Sequence, residues 1–133
     1  MWRFAVGSLV CIILAASISA EDMPPKPIPP TEAKNHVGKK VTVEMTVKAA
    51  KKSGKLKKVF LDSMENFQDA DNLGVAITES AEVELARKHA TSDLVEFFRG
   101  KQVRVTGTIE RRDERTYLDI DVASQLELID KKP

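Results

Sequence analysis

Residues 36–52 read HVGKKVTVEMTVKAAKK, and every second position from Val41 to Ala49 is apolar. Threonine, glutamate and lysine fill the positions between them, so one face of the segment is apolar and the other is polar. A period of two with one apolar face is typical of a β-strand that packs against a core on one side. The segment therefore predicts a half-buried strand, and the same pattern recurs along the chain.

Four more segments alternate in the same way. The predicted strands two to five span 57–62, 73–78, 103–110 and 118–122, and the fifth resumes at 126–128. In the second strand the alternation turns Phe60 away from the core, because neighbouring side chains of a strand point to opposite faces. Polar and glycine-containing stretches predict turns at 51–55 and 111–115, between strands one and two and between strands four and five.

The segment between strands three and four has helical spacing instead. Leu94, Phe97 and Phe98 lie three and four positions apart, which is typical of one apolar helix face. Ser80 is predicted to cap a helix, and Asp93 is a second cap candidate. One broken helix and two short helices both fit this segment.

The predicted order is three strands, a helix and two strands, with enough strand length to close a small barrel. The matching stretches are HVGKKVTVEMTVKAAKK (36–52), VFLDS (59–63), LGVAI (73–77), FFRGKQVRVTGTIE (97–110) and TYLDIDVASQLELI (116–129). They resemble the successive strands of the OB-fold, in particular small exported bacterial OB-fold proteins and nucleic-acid-binding modules of the tRNA-anticodon type. The resemblance covers residues 36–130. It implies a mainly β domain, a five-stranded Greek-key barrel with a helix between strands three and four.

The first 20 residues predict a secretory signal peptide. Arg3 precedes an apolar run over residues 4–18 and small residues follow, so cleavage is expected after Ala20 or one residue earlier. The run is shorter than the ~20 apolar residues that span a bilayer, which argues against a membrane helix. The predicted organisation is a signal peptide at 1–20, a proline-rich spacer with a short polar turn at 21–35, the OB-fold domain at 36–130 and a tail at 131–133. The predicted location is periplasmic or secreted, with no stable membrane span after cleavage.

Charge is nearly balanced but unevenly distributed. The chain carries 21 basic and 20 acidic residues, so bulk charge predicts no particular partner. Positions 34–58 hold nine lysines and one acidic residue, whereas positions 61–84 hold seven acidic residues and no basic one. We therefore expect an electrically polarised domain.

The resemblance also implies where a ligand would bind. In the OB-fold the binding surface is the outer face of strands two and three, bordered by the loops between strands one and two and between strands four and five. The candidate ligand-binding residues on this face and its two basic loops are Lys48, Lys51, Lys52, Lys55, Lys57, Lys58, Phe60, Arg111, Arg112, Arg115 and Tyr117. A groove flanked by cations predicts an extended anionic ligand, either single-stranded nucleic acid or an anionic glycan.

Two alternatives stay open. Lysines at a hairpin tip are also typical of a solvated edge that resists aggregation without binding anything. The second alternative is a protein partner in the cell envelope, with the domain as an interaction or stress-response module that has no nucleic-acid role. Salt-sensitive binding of an oligomer would favour the anionic ligand, because neutralised phosphates release counterions.

The residues offer little for catalysis. Beyond position 20 there is no cysteine, and the two histidines, His36 and His89, are predicted to lie at the surface. The sequence contains no glycine-rich phosphate loop and no nucleophile elbow. Asp69, Asp71 and Gly74 are similar to the start of a calcium loop, but leucine stands at a position that needs an oxygen ligand. We therefore predict a non-enzymatic protein with no metal site and no cofactor, and loose binding of a cation by Asp62 and Asp69 stays open.

Overall fold

The computed structural model describes residues 26–129. Its eight strands are β1 (Pro27–Ile28), β2 (Lys40–Thr46), β3 (Ala49–Ser53), β4 (Lys58–Asp62), β5 (Leu73–Ile77), β6 (Gln102–Arg112), β7 (Arg115–Ile120) and β8 (Leu126–Leu128). Two α-helices, α1 (Glu79–Lys88) and α2 (Leu94–Phe98), lie between β5 and β6, and two 3-10 helices span Pro30–His36 and Ala123–Gln125. The fold is mainly β, as predicted. Within residues 26–129, no helix is long and apolar enough to cross a membrane.

All eight strands belong to one mixed sheet. Hydrogen-bonded neighbours follow the order β1-β2-β6-β7-β5-β4-β3, and β8 pairs with β6 off this path. The pairs β1–β2 and β5–β7 are parallel, and the other pairs are antiparallel. β2 and β3 lie towards opposite ends of this path, yet only Val47 and Lys48 separate them along the chain. This arrangement is consistent with an OB-like fold.

The alternating apolar residues form the core, as the period of two predicts. In β6, Val103, Val105 and Ile109 are buried, and the residues between them are more exposed apart from the glycine at 107. β4 buries Val59 and Leu61 and leaves the phenylalanine between them half-buried. Each buried side chain of this size contributes about 1.5–3 kcal/mol to the free energy of unfolding. The predicted facing of β4 and β6 is therefore confirmed.

The first predicted strand is in fact two strands, because the chain changes partners in its middle. β2 pairs with β6, whereas β3 pairs with β4. At the break, the Val47 amide donates to the Lys101 carbonyl at 2.8 Å. The next amide, that of Lys48, donates to the Asp62 carbonyl at 2.9 Å. The break also shifts the side-chain alternation by one residue, because Val47 is buried before it and Ala50 is buried after it. Ala49, predicted to face the core with Val47, is only half-buried and pairs with Asp62, so that part of the prediction is wrong.

The turn predicted at 51–55 is wrong by a few residues. β3 extends to Ser53, so Lys51 and Lys52 pair with β4, and the turn occupies residues 54–57. Lysine backbone pairs like that of any other residue, and lysine is well tolerated on edge strands. A run of lysines is therefore an unreliable sign of a turn.

The last predicted strand also divides. β7 ends at Ile120, and Val122, expected to lie in that strand, is 46% exposed. The Gln125 side chain ends the strand, since its Oε1 accepts from the amides of Asp121 and Val122 at 2.8 and 3.1 Å. The chain then returns as β8, which pairs with β6. The observed count of eight strands, against five predicted, comes from these two divisions and from β1.

The segment before the first predicted strand packs against the sheet. β1 pairs in parallel with Thr42 and Val43 of β2, and Ile28 packs against the core. The polar turn that follows is a 3-10 helix whose Ala33 is fully buried. Residues 27–28, expected in a free spacer, are thus part of the sheet, because one isoleucine among the prolines is enough to make a core contact. The predicted signal peptide and tail, 1–20 and 131–133, lie outside the described residues.

The helical segment forms two short helices. Thr78, and not the predicted Ser80, caps α1: its Oγ1 accepts from the Ala81 amide at 3.3 Å. Asp93 caps α2 as predicted, accepting from the Glu96 amide at 3.2 Å. The helices pack Leu85, Leu94 and Phe98 among other residues into the core.

Candidate functional site

An open cavity of about 180 Å³ lies on the outer face of the sheet, between β3, β4 and β7 and the loop that follows β4. Its lining consists of Lys51, Ser53, Leu56, Phe60, Asp62, Phe67, Asn72, Arg115, Thr116 and Tyr117. We call this cavity the face pocket. Concave sites with a mixture of rings and a few polar groups are the usual form of a ligand site.

Strand register brings the floor of the face pocket together. Asp62 pairs with Gly74, which pairs in turn with Tyr117 on β7. A Cβ atom at Gly74 would stand 3.1 Å from two atoms of the Tyr117 ring and 3.4 Å from Asp62 Oδ1. The absence of a side chain at this position therefore allows the tyrosine ring to lie across β5.

Aromatic rings and cations alternate around the face pocket. Phe60 and Tyr117 meet edge to face, with ring centroids 6.2 Å apart. Lys51 Nζ lies 3.9 Å from the centroid of Phe67, and Arg115 Cζ lies 4.7 Å from the same centroid. Such cation–π contacts each contribute about 0.5–1 kcal/mol at exposed sites. The cations are thus held beside the rings instead of extending freely into solvent.

Arg112 adds a third cation at the rim. Its Cζ lies 4.7 Å from the Tyr117 ring centroid, and its guanidinium pairs with Asp119 at 3.0 Å. A weaker contact at 3.8 Å joins it to Glu110 on its own strand. The acidic partners hold the guanidinium over the ring, so Arg112 is positioned but partly neutralised.

Asp62 is a buried carboxylate in the floor of the face pocket, only 5% exposed. Asn72 Nδ2 donates to its Oδ1 at 3.1 Å, and the Asn72 Oδ1 accepts from the Met64 amide at 2.9 Å. Burial raises the pKa of Asp62 above its ordinary value of 3.8. The hydrogen bond from Asn72 and the positive charges of Lys51 and Arg115 oppose that rise in pKa.

The structure brings five of the eleven predicted site residues together. Those lining the face pocket or its rim are Lys51, Phe60, Arg112, Arg115 and Tyr117. The other six, all basic, are Lys48, Lys52, Lys55, Lys57, Lys58 and Arg111, and none lines this pocket.

The other predicted cations have different surroundings. Lys48 lines a separate cavity, and Lys52 pairs with Glu82 of α1 at 3.0 Å. Lys55 and Lys57 lie exposed in the turn after β3, and Lys58 is half-buried at the start of β4. Arg111 donates to Thr116 Oγ1 at 3.1 Å. A basic loop in the sequence therefore divides between several surfaces in the fold.

Six of the ten lining residues were not among the predicted site residues, namely Ser53, Leu56, Thr116 and three that shape the site chemically, Asp62, Phe67 and Asn72. Asp62 lies two positions after Phe60 in the same strand, so the alternation that placed Phe60 outward also placed Asp62 there. Phe67 and Asn72 lie in the loop after β4, where no periodicity indicates a direction. Of the three, only Asp62 had a usable signal.

The two histidines are less exposed than predicted. His36 is half-buried at the end of the first 3-10 helix. His89 packs against Phe97 and Phe98, with ring centroids 4.9 and 5.5 Å apart, and within the described residues its buried Nε2 has no hydrogen-bond partner. Burial lowers the pKa of His89, and the neighbouring charge of Lys88 lowers it further. Over residues 26–129, no cluster of three or more histidine, cysteine or acidic side chains is arranged to hold a metal ion.

Sequence comparisons give no relatives, whereas solved structures share the fold. No protein-family model matches the chain, and no curated protein sequence matches it either. OBody AM3L09 bound to hen egg-white lysozyme is 18% identical with a TM-score of 0.56, over 83% of this chain and 100% of that one. The aspartyl tRNA synthetase from Entamoeba histolytica is 13% identical with a TM-score of 0.51, over 92% of this chain and 25% of that one.

At such identities the likeness shows the fold alone, which is OB-like. The chain spans about a quarter of the length of the aspartyl-tRNA synthetases that it matches. Nothing about activity follows from a match of this extent, because one fold supports many functions.

Proposed function

We propose that this protein is a non-enzymatic OB-fold binding protein that holds single-stranded nucleic acid across the face pocket. The observation that carries the proposal is the pairing of three rings with three cations on one sheet face. Bases stack on aromatic side chains and phosphates are attracted by neighbouring cations, so a surface with both suits a single strand. The rings are Phe60, Phe67 and Tyr117, and the cations are Lys51, Arg112 and Arg115.

In this proposal the domain is a five-stranded Greek-key barrel. β2 and β3 form the first strand, β4 and β5 the second and third, β6 the fourth, and β7 with β8 the fifth. The parallel pairing of β5 with β7 and the pairing of β2 with β6 support this interpretation. The face pocket then lies where OB-folds commonly bind oligonucleotides and oligosaccharides.

The similar structures add support of a coarse kind. One of the similar structures is an aspartyl tRNA synthetase, a protein named for tRNA, and it matches this chain with a TM-score of 0.51. Single-stranded nucleic acid therefore takes precedence over an anionic glycan, which the same cations would also attract. Export, by the signal peptide predicted at 1–20, is part of the proposal, with the mature protein periplasmic or secreted.

Fluorescence anisotropy with a labelled single-stranded DNA of mixed sequence tests this function. We expect binding at low salt that weakens steeply towards physiological salt, as counterion release requires. A variant with Lys51, Arg112 and Arg115 changed to serine should reduce the slope of log K against log salt by about one for each phosphate that is no longer neutralised. A matched control changes three exposed cations outside the pocket, Lys39, Lys40 and Lys88, to serine and should retain most of the affinity.

A labelled anionic oligosaccharide, titrated in parallel, separates the two polymers. Tighter binding of the oligosaccharide would reassign the site to a glycan. Failure of the wild-type protein to bind either polymer at low salt would contradict an anionic ligand altogether.

A protein partner is the second candidate. The observation in its favour is that OBody AM3L09, whose full length matches this chain, is bound to hen egg-white lysozyme. Capture of a defined envelope protein that survives the triple serine substitution would favour this role over nucleic-acid binding.

A further inference from the structure

The floor of the face pocket holds a carboxylate, that of Asp62, with one oxygen that accepts no hydrogen bond from the described residues. Asp62 Oδ1 accepts from Asn72 Nδ2, whereas among the described residues Oδ2 accepts no hydrogen bond. No lysine or arginine nitrogen of the described residues forms an ion pair with this carboxylate, although Lys51 and Arg115 line the same cavity. Within the described residues the one buried side-chain nitrogen or oxygen without a hydrogen-bond partner is His89 Nε2, so Asp62 Oδ2 is reached by solvent and is open to a donor in the cavity. The pocket is therefore suited to a guest that brings an N–H group.

The walls of the face pocket select the shape and charge of that guest. Phe60 and Tyr117 offer ring surfaces, which favour a flat partner. Lys51 and Arg115 line the cavity, and their positive charges disfavour a cationic guest while attracting an anionic group beside it. A flat, uncharged ring attached to a phosphate backbone satisfies both conditions.

The face pocket has room to enclose one ring. Its volume is about 180 Å³. A cavity of about 150 Å³ accommodates one benzene ring. A six-membered ring therefore fits inside the cavity, whereas part of a fused purine would extend out of its open side.

Among single-ring bases, the amino group distinguishes cytosine. Cytosine presents its N4 amino group as a donor, and aspartate is a typical acceptor for it. Thymine presents the O4 carbonyl at the same position, and its one donor on this edge, N3–H, lies between two carbonyl oxygens that a nearby carboxylate would repel. Resting on the proposed function, we propose that the face pocket takes one cytosine base, whose amino group donates to Asp62, in preference to thymine or uracil.

The test compares labelled dC10, dT10 and dA10 in anisotropy titrations of the purified protein at low salt. We expect dC10 to bind roughly tenfold more tightly than dT10, within the range for one specific base contact. We expect dA10 to bind more weakly than dC10, because the cavity would enclose only part of a purine. Asp62→Asn should bring the dC10 to dT10 ratio close to one while leaving the salt dependence in place.

Asp119→Asn is the matched control. Asp119 is a carboxylate on the same sheet face, but it pairs with Arg112 and does not line the pocket. Loss of the Asp119 charge should change the affinities for dC10 and dT10 by the same factor and leave the ratio between them unchanged.

The outcomes separate this proposal from the proposed function. Salt-dependent binding of dC10 and dT10 with equal affinity would overturn the cytosine preference and leave the nucleic-acid function standing. A preference that persists in Asp62→Asn would overturn the role of Asp62, and equal binding of dA10 and dC10 would overturn the preference for a single ring. Binding of no oligonucleotide at low salt would overturn both proposals.

Discussion

Asp62 presents a carboxylate in the pocket floor, and the burial of that carboxylate affects the stability of the folded protein. Its position in β4, two residues after Phe60, places its carboxylate in the pocket floor, where it is 5% exposed. Burial makes the ionised form less favourable in the folded protein than in the unfolded chain. The folded pKa is raised, so the stability that this group gives is complete below 3.8 and is lost as the pH rises through the folded pKa. At neutral pH the carboxylate therefore destabilises the domain that presents it.

Replacement of this carboxylate should stabilise the unliganded protein. We expect Asp62→Asn to melt at a higher temperature than the wild type at pH 7, since the amide can still accept from Asn72 without carrying charge. The difference should disappear as the pH falls to 3.8 and below, where both proteins are neutral at this position. Thermal unfolding followed by circular dichroism between pH 3 and 8 measures it, and Asp119→Asn, which loses an ion pair, should show no such rise. A lower melting temperature for Asp62→Asn at pH 7 would contradict the direction of the pKa shift.

For single residues, the sequence predicts which way a side chain faces when that residue lies in a strand. Phe60 was placed correctly because neighbouring strand positions alternate between faces. Phe67 joins the site from a loop, where its direction depends on the cations that lie over its ring. Such a contact links residues far apart in the chain, and a sequence pattern contains no trace of it.

The β6–β7 hairpin is the element that carries two of the pocket cations. Arg112 and Arg115 pair across its tip, and the two residues between them, Asp113 and Glu114, have positive φ angles of 51° and 64°. A two-residue turn with both φ angles positive is type I′, which favours asparagine followed by glycine. A residue with a long side chain such as Glu114 is strained there.

Relief of this strain should stabilise the hairpin. We expect Glu114→Gly to raise the free energy of unfolding by about 0.5–1 kcal/mol, because the gain from removing a left-handed non-glycine residue exceeds the added freedom of the unfolded chain. Arg87→Gly, in helix α1 and at an ordinary backbone conformation, should lower it by about 1 kcal/mol. Urea unfolding of both variants measures the two changes. A loss of stability in Glu114→Gly would mean that the turn is not type I′ in solution.

Elements were predicted more reliably than their ends. The alternation identified the strands and the helical spacing identified α2, because both patterns are local. The ends of β3 and β7 depend on the residues that bond to them. β3 continues to Ser53 because it pairs with β4 that far, and β7 ends at Ile120 because the Gln125 side chain accepts from the next amide. Both partners are close in sequence, but strand pairing across a turn and a side chain that accepts from backbone amides leave no mark on composition, which therefore misplaced both ends.

The whole molecule depends on one core shared by all strands. Val105 is fully buried between β2 and β8, which pair with β6 at this residue from either side. Every strand contributes to the same cluster or packs against it, and no second core lies within the described residues. A charge placed there has no partner to neutralise it.

Val105→Asp should therefore abolish cooperative folding. An unpaired buried carboxylate costs several kcal/mol, which is comparable with the roughly 5–15 kcal/mol that stabilises a typical domain. Thr108→Asp, exposed on the same strand, should melt close to the wild type. Circular dichroism during heating distinguishes them. A normal transition in Val105→Asp would show that the facing of β6 is inverted.

The position of Tyr117 gives the molecule a built-in optical reporter. It is the one tyrosine of the chain, and the single tryptophan is Trp2, inside the predicted signal peptide. With Trp2 changed to phenylalanine, ultraviolet emission from the protein would come essentially from one ring, and that ring lines the face pocket beneath Arg112. A base stacking on this ring would alter its emission, so occupancy could be read without any label on either molecule.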